Sequence, residues 1–267
     1  MTTPAAASDP QCVRALAGRT LVVMRPREQA ESLCARIEAA GGRALRFPVI
    51  AVGPALDPTP LQAIVGRLDE FDLAFFVSPN AVDHAMRAIL PQRTWPATLR
   101  VATVGKGSQR VMHGWGFADV IAPADGFDSE AVIALPEFGP DAVRGRKVLI
   151  FRGDGGRELL AETLRERGAS VEYVTCYRRY CPDANPAELL EPVAHGAVDG
   201  LLLTSSEGVR NLECMLGADG LAALRDVTVF ATHPRIVAQA CAAGFVKVVE
   251  TPAGDDGLMQ ALESHFA

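Results

Sequence analysis

The chain predicts an α/β protein made of two similar α/β/α domains, with parallel sheets and an internal duplication. Three observations carry that expectation. Short apolar runs such as Lys147 to Phe151 and Leu73 to Val77 alternate with stretches whose apolar positions recur at helical spacing. Strands apolar throughout belong in parallel sheets buried on both faces, with helices as crossovers. The third observation is that the chain copies itself.

The copy is most legible from Gly18 and from Gly145. GRTLVVMRPREQAESLCARIEAAGGRALRFPVI lies over GRKVLIFRGDGGRELLAETLRERGASVEYVTCYRRY without a gap, pairing Arg19 with Arg146, Arg25 with Arg152, Leu33 with Leu160 and Gly41 with Gly168. The offset of 127 also sets FDLAFFVSPNAV on VDGLLLTSSEGV, so that Asp72 meets Asp199 and Ser78 meets Ser205. VATVGKGSQ and VFATHPRIV follow nearly in step, each running on to a Gly-Phe pair.

Taken in order, Thr20–Met24 is a strand, and Pro26 suits the start of a helix that buries Ala30, Leu33, Cys34 and Ile37 before Gly41-Gly42 ends it. Arg43 to Val52 reads as a strand whose second half, FPVIAV, is too long and too proline-marked for a central position and suits a crossing between domains. A short helix over Leu61 to Leu68 leads to the strand Leu73–Val77 and a helix capped by Ser78-Pro79-Asn80. Val101–Val104 is a strand that exits through Gly105-Lys106-Gly107-Ser108 into a helix to about His113. Asp119–Ile121 and a helix from Asp128 finish this half. The second half repeats the order. Lys147–Phe151 runs into RGDGGR, a helix carries Leu160, Thr163, Leu164 and Arg167 on one face, Gly168 stops it, and Val171–Tyr177 follows. Leu201–Leu203, Val227–Phe230 and Val246–Val249 are the remaining strands, and a last helix starts at Asp255.

Composition narrows the function classes. At 267 residues, 49% apolar and 22% charged, the chain suits two globular domains, and no apolar run reaches the ~20 residues of a membrane helix. A net charge of −6 without a basic stripe argues against nucleic acid as a partner. Residues 1–17 have neither a basic start nor a long apolar segment, and read as a mobile tail rather than a signal peptide. Six cysteines without CxxC spacing suit reduced thiols in a cytoplasmic protein, and five dispersed histidines offer no metal set.

Ligands of open parallel sheets lie beyond the carboxyl ends of the strands, where helix N-termini present unpaired N–H groups to anions. Every candidate loop here is of that kind: Arg25-Pro26, Ser78-Pro79-Asn80, Gly105 to Ser108, Arg152 to Arg157, Thr204 to Glu207 and Thr232 to Arg235. Their glycines and small hydroxyl residues let a carboxylate approach the main chain. The run Tyr177-Arg178-Arg179-Tyr180, where the chain leaves its sheet, is a further candidate. RGDGGR is neither GxGxxG nor a P-loop, and no GxSxG or HExxH occurs. A phosphoacceptor receiver needs acidic residues after its first strand, where Arg25 and Arg152 stand.

These residues resemble the uroporphyrinogen-III synthase family over 18–267. The resemblance is carried by FRGDGGRELLAETLRERGASVEYVTCYRR together with FVSPNAV, VATVGKGSQ and TSSEGVRNL, in their order and spacing. It implies two α/β/α domains joined by a two-stranded linker: residues 18–47 with 180–267 in one, 51–174 in the other, and crossings at 47–50 and 175–179, with the active cleft between domains. It implies a cofactor-free, cytoplasmic, monomeric lyase that cyclises hydroxymethylbilane with inversion of the last pyrrole ring, in transient contact with the preceding enzyme of its pathway. Tyr177 matches the family's linker tyrosine and is expected to hydrogen-bond the leaving hydroxyl. Ser78, Ser205, Gly107 and Ser108 match anion-contacting loops, with Arg25, Arg152 and Lys106 adding charge or pinning loops. Thr232-His233-Pro234-Arg235 departs from a Gly-Pro-Thr-type turn, which leaves His233 or Arg235 to act there. The alternative is a non-catalytic two-domain sensor of anions or tetrapyrroles, which needs a hinge but not a tyrosine at it.

Overall fold

A computed structural model describes residues 15–126 and 128–267. In chain order the elements are β1 (Thr20–Val23), α1 (Arg27–Ala39), β2 (Arg43–Arg46), β3 (Ala51–Pro54), α2 (Thr59–Val65), β4 (Leu73–Phe76), α3 (Pro79–Ile89), β5 (Arg100–Thr103), α4 (Lys106–Gly114), β6 (Val120–Ile121), α5 (Ser129–Ile133) and α6 (Pro140–Val143). They continue with β7 (Lys147–Gly153), α7 (Leu159–Glu166), β8 (Ser170–Tyr180), α8 (Ala187–Ala194), β9 (Gly200–Leu203), α9 (Ser206–Ala223), β10 (Thr228–Ala231), α10 (Pro234–Ala242), β11 (Val248–Glu250) and α11 (Gly254–Phe266). Two compact units result. One takes the described residues up to Ala51 together with Tyr180–Ala267, and the other is Val52–Arg179.

The first unit holds a sheet in the order β11-β10-β9-β1-β2, and the second a sheet in the order β3-β8-β7-β4-β5-β6. The pairs from β11 to β2 and from β8 to β6 are parallel. Under the 127-residue offset, β1 and β2 correspond to β7 and β8, while β4, β5 and β6 correspond to β9, β10 and β11. Each sheet therefore combines the opening strands of one copy with the later strands of the other. The duplication is tandem in sequence and crossed in space.

One ionic clamp repeats with it. Lys147 donates its main-chain N–H to Asp72 at 2.8 Å and Arg146 its guanidinium at 2.7 Å. In the other unit Thr20 N–H reaches Asp199 at 2.8 Å and Arg19 reaches it at 3.0 Å. Each aspartate, ahead of the central strand β4 or β9, pins the start of its neighbour β7 or β1.

Period-two alternation sends strand side chains into two cores per unit, as expected of a doubly covered sheet. In the first unit Leu21 and Val23 face α1 and α11, while Val22, Leu201 and Leu203 face α9 and α10. In the second, Ala74, Phe76 and Phe151 pack on α3, while Phe75 and Ile150 pack on α7. Phe76 and Phe151 stack at 4.7 Å and Phe75 meets Phe138 edge-on.

Several expectations need correction. The strand expected over 43–52 is two strands, because Pro48 lacks the N–H a ladder requires. Phe47, the last residue expected in the first domain, is in its core, and of the crossing beyond it Val49 is core as well, 1% exposed in the first unit. Cys176 and Tyr177, also read as linker, are buried in the second. Apolar side chains draw both passages into the units they adjoin, so the chain passes between units at 51–52 and 179–180. Of the stretch read as a tail, residues 1–14 lie outside the described residues, but Leu16 is fully buried beside Ile37. The helix expected over 61–68 runs from Thr59 to Val65, with a separate 3-10 turn at Leu68–Glu70. α6 and α8 had no counterpart in the sequence reading; the internal Pro192 disguised α8.

Candidate functional site

All strand-end loops of the second unit's parallel strands lie on one edge of its sheet, and there Tyr177 and Ser78 meet. Ser78 is the N-cap of α3, its hydroxyl accepting from Ala81 N–H at 3.1 Å. The same oxygen lies 3.1 Å from the Tyr177 hydroxyl. A β-bulge aims the tyrosine. Arg152 pairs with Thr175 but Gly153 pairs with Tyr177, so β8 carries one extra residue at this point. The ring crosses directly over Gly153, where a Cβ would stand 2.8 Å from Cζ and 3.2 Å from the hydroxyl. His84, from α3, stacks against the Tyr177 ring with centroids 5.8 Å apart. Tyr177 is 6% exposed.

A cavity of about 330 Å³ opens beside this pair, lined by Ser78, Tyr177, Arg152, Arg157, Tyr173 and Arg179 among others. Arg152 is pinned from three directions: Glu158 at 2.6 Å, Gly156 O at 3.1 Å and the face of Tyr173 at 4.6 Å. Tyr173 donates to the same Glu158 at 2.6 Å. Burial, with the Glu158 hydrogen bond second, pushes the Tyr173 phenol up to about 12, so it stays a donor. Arg152 and Tyr173 hold Glu158 below its ordinary value. Burial also pushes the Cys176 thiol up to about 12, which removes it as a nucleophile near neutrality.

At the exit of β5, Gly105 precedes α4 with no side-chain cap, so main-chain N–H groups of the first turn are left for solvent or a ligand. Gly107 is exposed there, and a Cβ would find nothing nearer than Pro79 Cγ at 4.0 Å. Lys106 is exposed beside it. Ser108 points inward instead, 2% exposed with its hydroxyl unpartnered among the described residues.

The first unit offers the corresponding edge. Ser205 caps α9, accepting from Gly208 N–H at 2.9 Å. His233 caps α10 through Nδ1, which accepts from Arg235 N–H at 3.1 Å and so places the ring proton on Nε2. His233 and Arg235 are both exposed. Arg25 pairs with Asp255 in the first turn of α11.

The structure thus gathers Ser78, Arg152 and Tyr177 around one cavity, sets Lys106 and Gly107 on the same sheet edge, and gives Arg25, Ser205, His233 and Arg235 to the other unit. Tyr173 and His84 were missed as parts of the site. Gly153 was visible only as one glycine among three, and its role depends on the bulge. Among the described residues no group of three or more His, Cys, Asp or Glu is placed to hold a metal, the five described cysteines are free, and no helix is long and apolar enough to cross a membrane.

Fold and site together define a duplicated α/β protein whose strand-end loops suit a multiply anionic ligand and whose second unit adds a paired phenol and hydroxyl. The family model described as "Uroporphyrinogen-III synthase HemD" matches residues 31–260. A "Uroporphyrinogen-III synthase" of Salmonella typhimurium is 34% identical over 194 residues, covering 72% of this chain and 78% of that protein. One of Synechococcus elongatus is 30% identical over 258 residues, covering 93% and 96%. A solved mutant uroporphyrinogen III synthase of Thermus thermophilus shares the fold at 18% identity and a TM-score of 0.55, covering 92% of this chain and 98% of that one. A uroporphyrinogen-III synthetase structure from Helicobacter pylori does so at 14% and 0.54, covering 92% and 99%. The chain belongs to the uroporphyrinogen-III synthase family, an enzyme family of tetrapyrrole biosynthesis. That membership does not favour the non-catalytic sensor.

Proposed function

We propose that the chain converts hydroxymethylbilane to uroporphyrinogen III, and that Tyr177 assists departure of the substrate's hydroxyl. The observation that carries the residue assignment is the 3.1 Å contact between Tyr177 and Ser78 at the mouth of a cavity edged with guanidinium groups. Ser78 Oγ accepts from Ala81 N–H, and either hydroxyl of the Ser78–Tyr177 pair can donate to the other; in the productive arrangement the serine proton turns to the tyrosine oxygen. That leaves the phenolic proton for the leaving oxygen, and each bond in such a chain polarises the next. The carbon–oxygen bond breaks, water departs with the electron pair, and an azafulvenium cation remains. The substituted carbon of the distal ring attacks it to form a spiro intermediate, which fragments and recloses with that ring inverted; proton loss completes the macrocycle.

Much of this reactivity belongs to the substrate, and the protein's task is to fold the bilane so that the substituted carbon arrives first. In the second unit Gly107 and its neighbours at the start of α4 suit carboxylate groups of the substrate, and in the first unit, taken by itself, Ser205 and the α10 start offer the same kind of helix N-terminus. Lys106, His233 and Arg235 are the exposed cations or donors beside them, while Arg25 and Arg152 act as struts, since Asp255 and Glu158 engage them. Ser108 contributes its main chain rather than its buried hydroxyl. The same reading makes the protein a cytoplasmic monomer that takes an unstable substrate from the enzyme before it.

The test is to supply fresh hydroxymethylbilane, oxidise the product and separate the uroporphyrin isomers. Type III is the expected result. Type I alone, the product of spontaneous closure, would remove the synthase reading.

A further inference from the structure

The two arginines of the RGDGGR loop are held very differently. Arg152 has its side chain 12% exposed and three partners, a strut that cannot leave without dismantling the loop. Arg157 lines the same cavity at its exposed edge, its side chain 59% exposed. Its planar fork grips both carboxylate oxygens of Glu130, one of them at 2.9 Å, and Glu130 itself is 53% exposed in the first turn of α5. Between the two arginines Gly155 and Gly156 give the loop its freedom: a Cβ at Gly155 would meet nothing, and Gly156 has φ +142.

We propose that Glu130 is a place-holder, and that Arg157 exchanges it for a carboxylate of the substrate, making Arg157 a substrate-binding residue that the protein itself occludes. The inference rests on the proposed synthase reading for its choice of ligand. An arginine fork matched to a carboxylate accepts any carboxylate of that geometry. An exposed pair such as Arg157–Glu130 contributes little to stability, so exchanging it costs little. The arriving carboxylate has an advantage over bulk anions, because a polycarboxylate already held at other loops presents its next group at high effective concentration. Arg157 holds the Glu130 carboxyl below its ordinary value, so the place-holder stays ionised at neutral pH and competes throughout the working range. A net acidic protein thereby keeps a cation at its cavity mouth without leaving it open to every anion.

The two members of the pair must then act in opposite directions, which a merely structural ion pair would not do. The probe is uroporphyrin III, an octacarboxylate with no hydroxyl left to lose, titrated by quenching of the tryptophan fluorescence at constant pH and salt. Arg157→Gln is expected to weaken binding about tenfold, Arg157→Lys less so, and Glu130→Gln to tighten it about threefold. KM for the bilane should move with these affinities while kcat changes little. Shifts of the same sign in Arg157→Gln and Glu130→Gln, or no shift in either, would overturn the proposal. The isomer assay on the unaltered protein keeps the two readings apart. Type III product with same-sign shifts condemns the place-holder alone, whereas opposite shifts without type III product condemn the synthase reading and leave the exchange standing.

Discussion

Tyr177 shows how much a single residue's meaning depends on its neighbours. Its hydroxyl has a partner in Ser78, its ring lies over Gly153, and His84 stacks against it. Tyr177→Phe removes only the hydroxyl, so the ring should keep its seat. Because positioning and the substrate's own reactivity carry much of the rate, we expect a partial loss, about 10- to 100-fold in kcat, with the type III isomer still formed. Unchanged turnover would end the catalytic assignment. Gly107 permits a sharper separation of stability from function. A Cβ there clashes with nothing in the protein, and alanine in a helix is favoured over glycine by about 0.5–1 kcal/mol. Gly107→Ala should therefore melt at or above the temperature of the parent yet bind the substrate more weakly, if carboxylates approach that first turn. A variant equally stable and equally active would remove Gly107 from the binding loops.

At the scale of elements, the bulge in β8 and the aspartate clamps decide where strands begin and what they aim. Cys176 occupies the extra position of the bulge region, its thiol turned to Arg152 O at 3.2 Å, and this lets Tyr177 rather than Cys176 stand opposite Gly153. The Asp72 clamp has a pH signature. Its carboxyl is held below its ordinary value first by the Lys147 main-chain N–H; burial opposes the shift and Arg146 adds to it. A carboxylate with a depressed folded pKa adds stability above its unfolded value of about 4, and that contribution is lost as pH falls through the folded value. The denaturation midpoints of the parent and Asp72→Asn should differ near neutrality and converge as pH drops below about 4. A gap that persists in acid would show that the clamp acts through shape rather than charge.

For the whole molecule, the crossed duplication divides folding unequally. The second unit is one continuous run, Val52–Arg179, and contains both cores of its sheet. The first unit is assembled from two segments separated by that run. A fragment carrying 52–179 is expected to fold alone with a single sigmoidal urea transition, because loop closure inside it is local. A fragment carrying 180–267 lacks β1, the strand that covers one edge of β9, and should not. Failure of 52–179 to fold would mean that the other unit supplies stability the separate cores do not reveal.

The alternation of strands and helices, the buried face of α1 and the capping roles of Ser78 and Ser205 were all legible in the linear chain, because periodicity and caps are local properties. The repeat was legible for the same reason: an offset of 127 needs only the residues themselves. Asp72 and Asp199 could be matched to each other, and Arg19 to Arg146, but not one aspartate to its arginine. That pairing is decided by which copy's strands share a sheet, a long-range choice that no local pattern encodes. Likewise RGDGGR advertised a loop near a ligand, yet its two arginines were indistinguishable until tertiary contacts pinned one from three directions and left the other on an exposed ion pair with Glu130. Local physics wrote the elements, the family resemblance and the candidate loops into the sequence. Tertiary packing alone decided which strand ends converge, why Gly153 must lack a side chain, and that Val49 and Tyr177 are buried in cores, since burial is a property of neighbours brought from elsewhere in the chain.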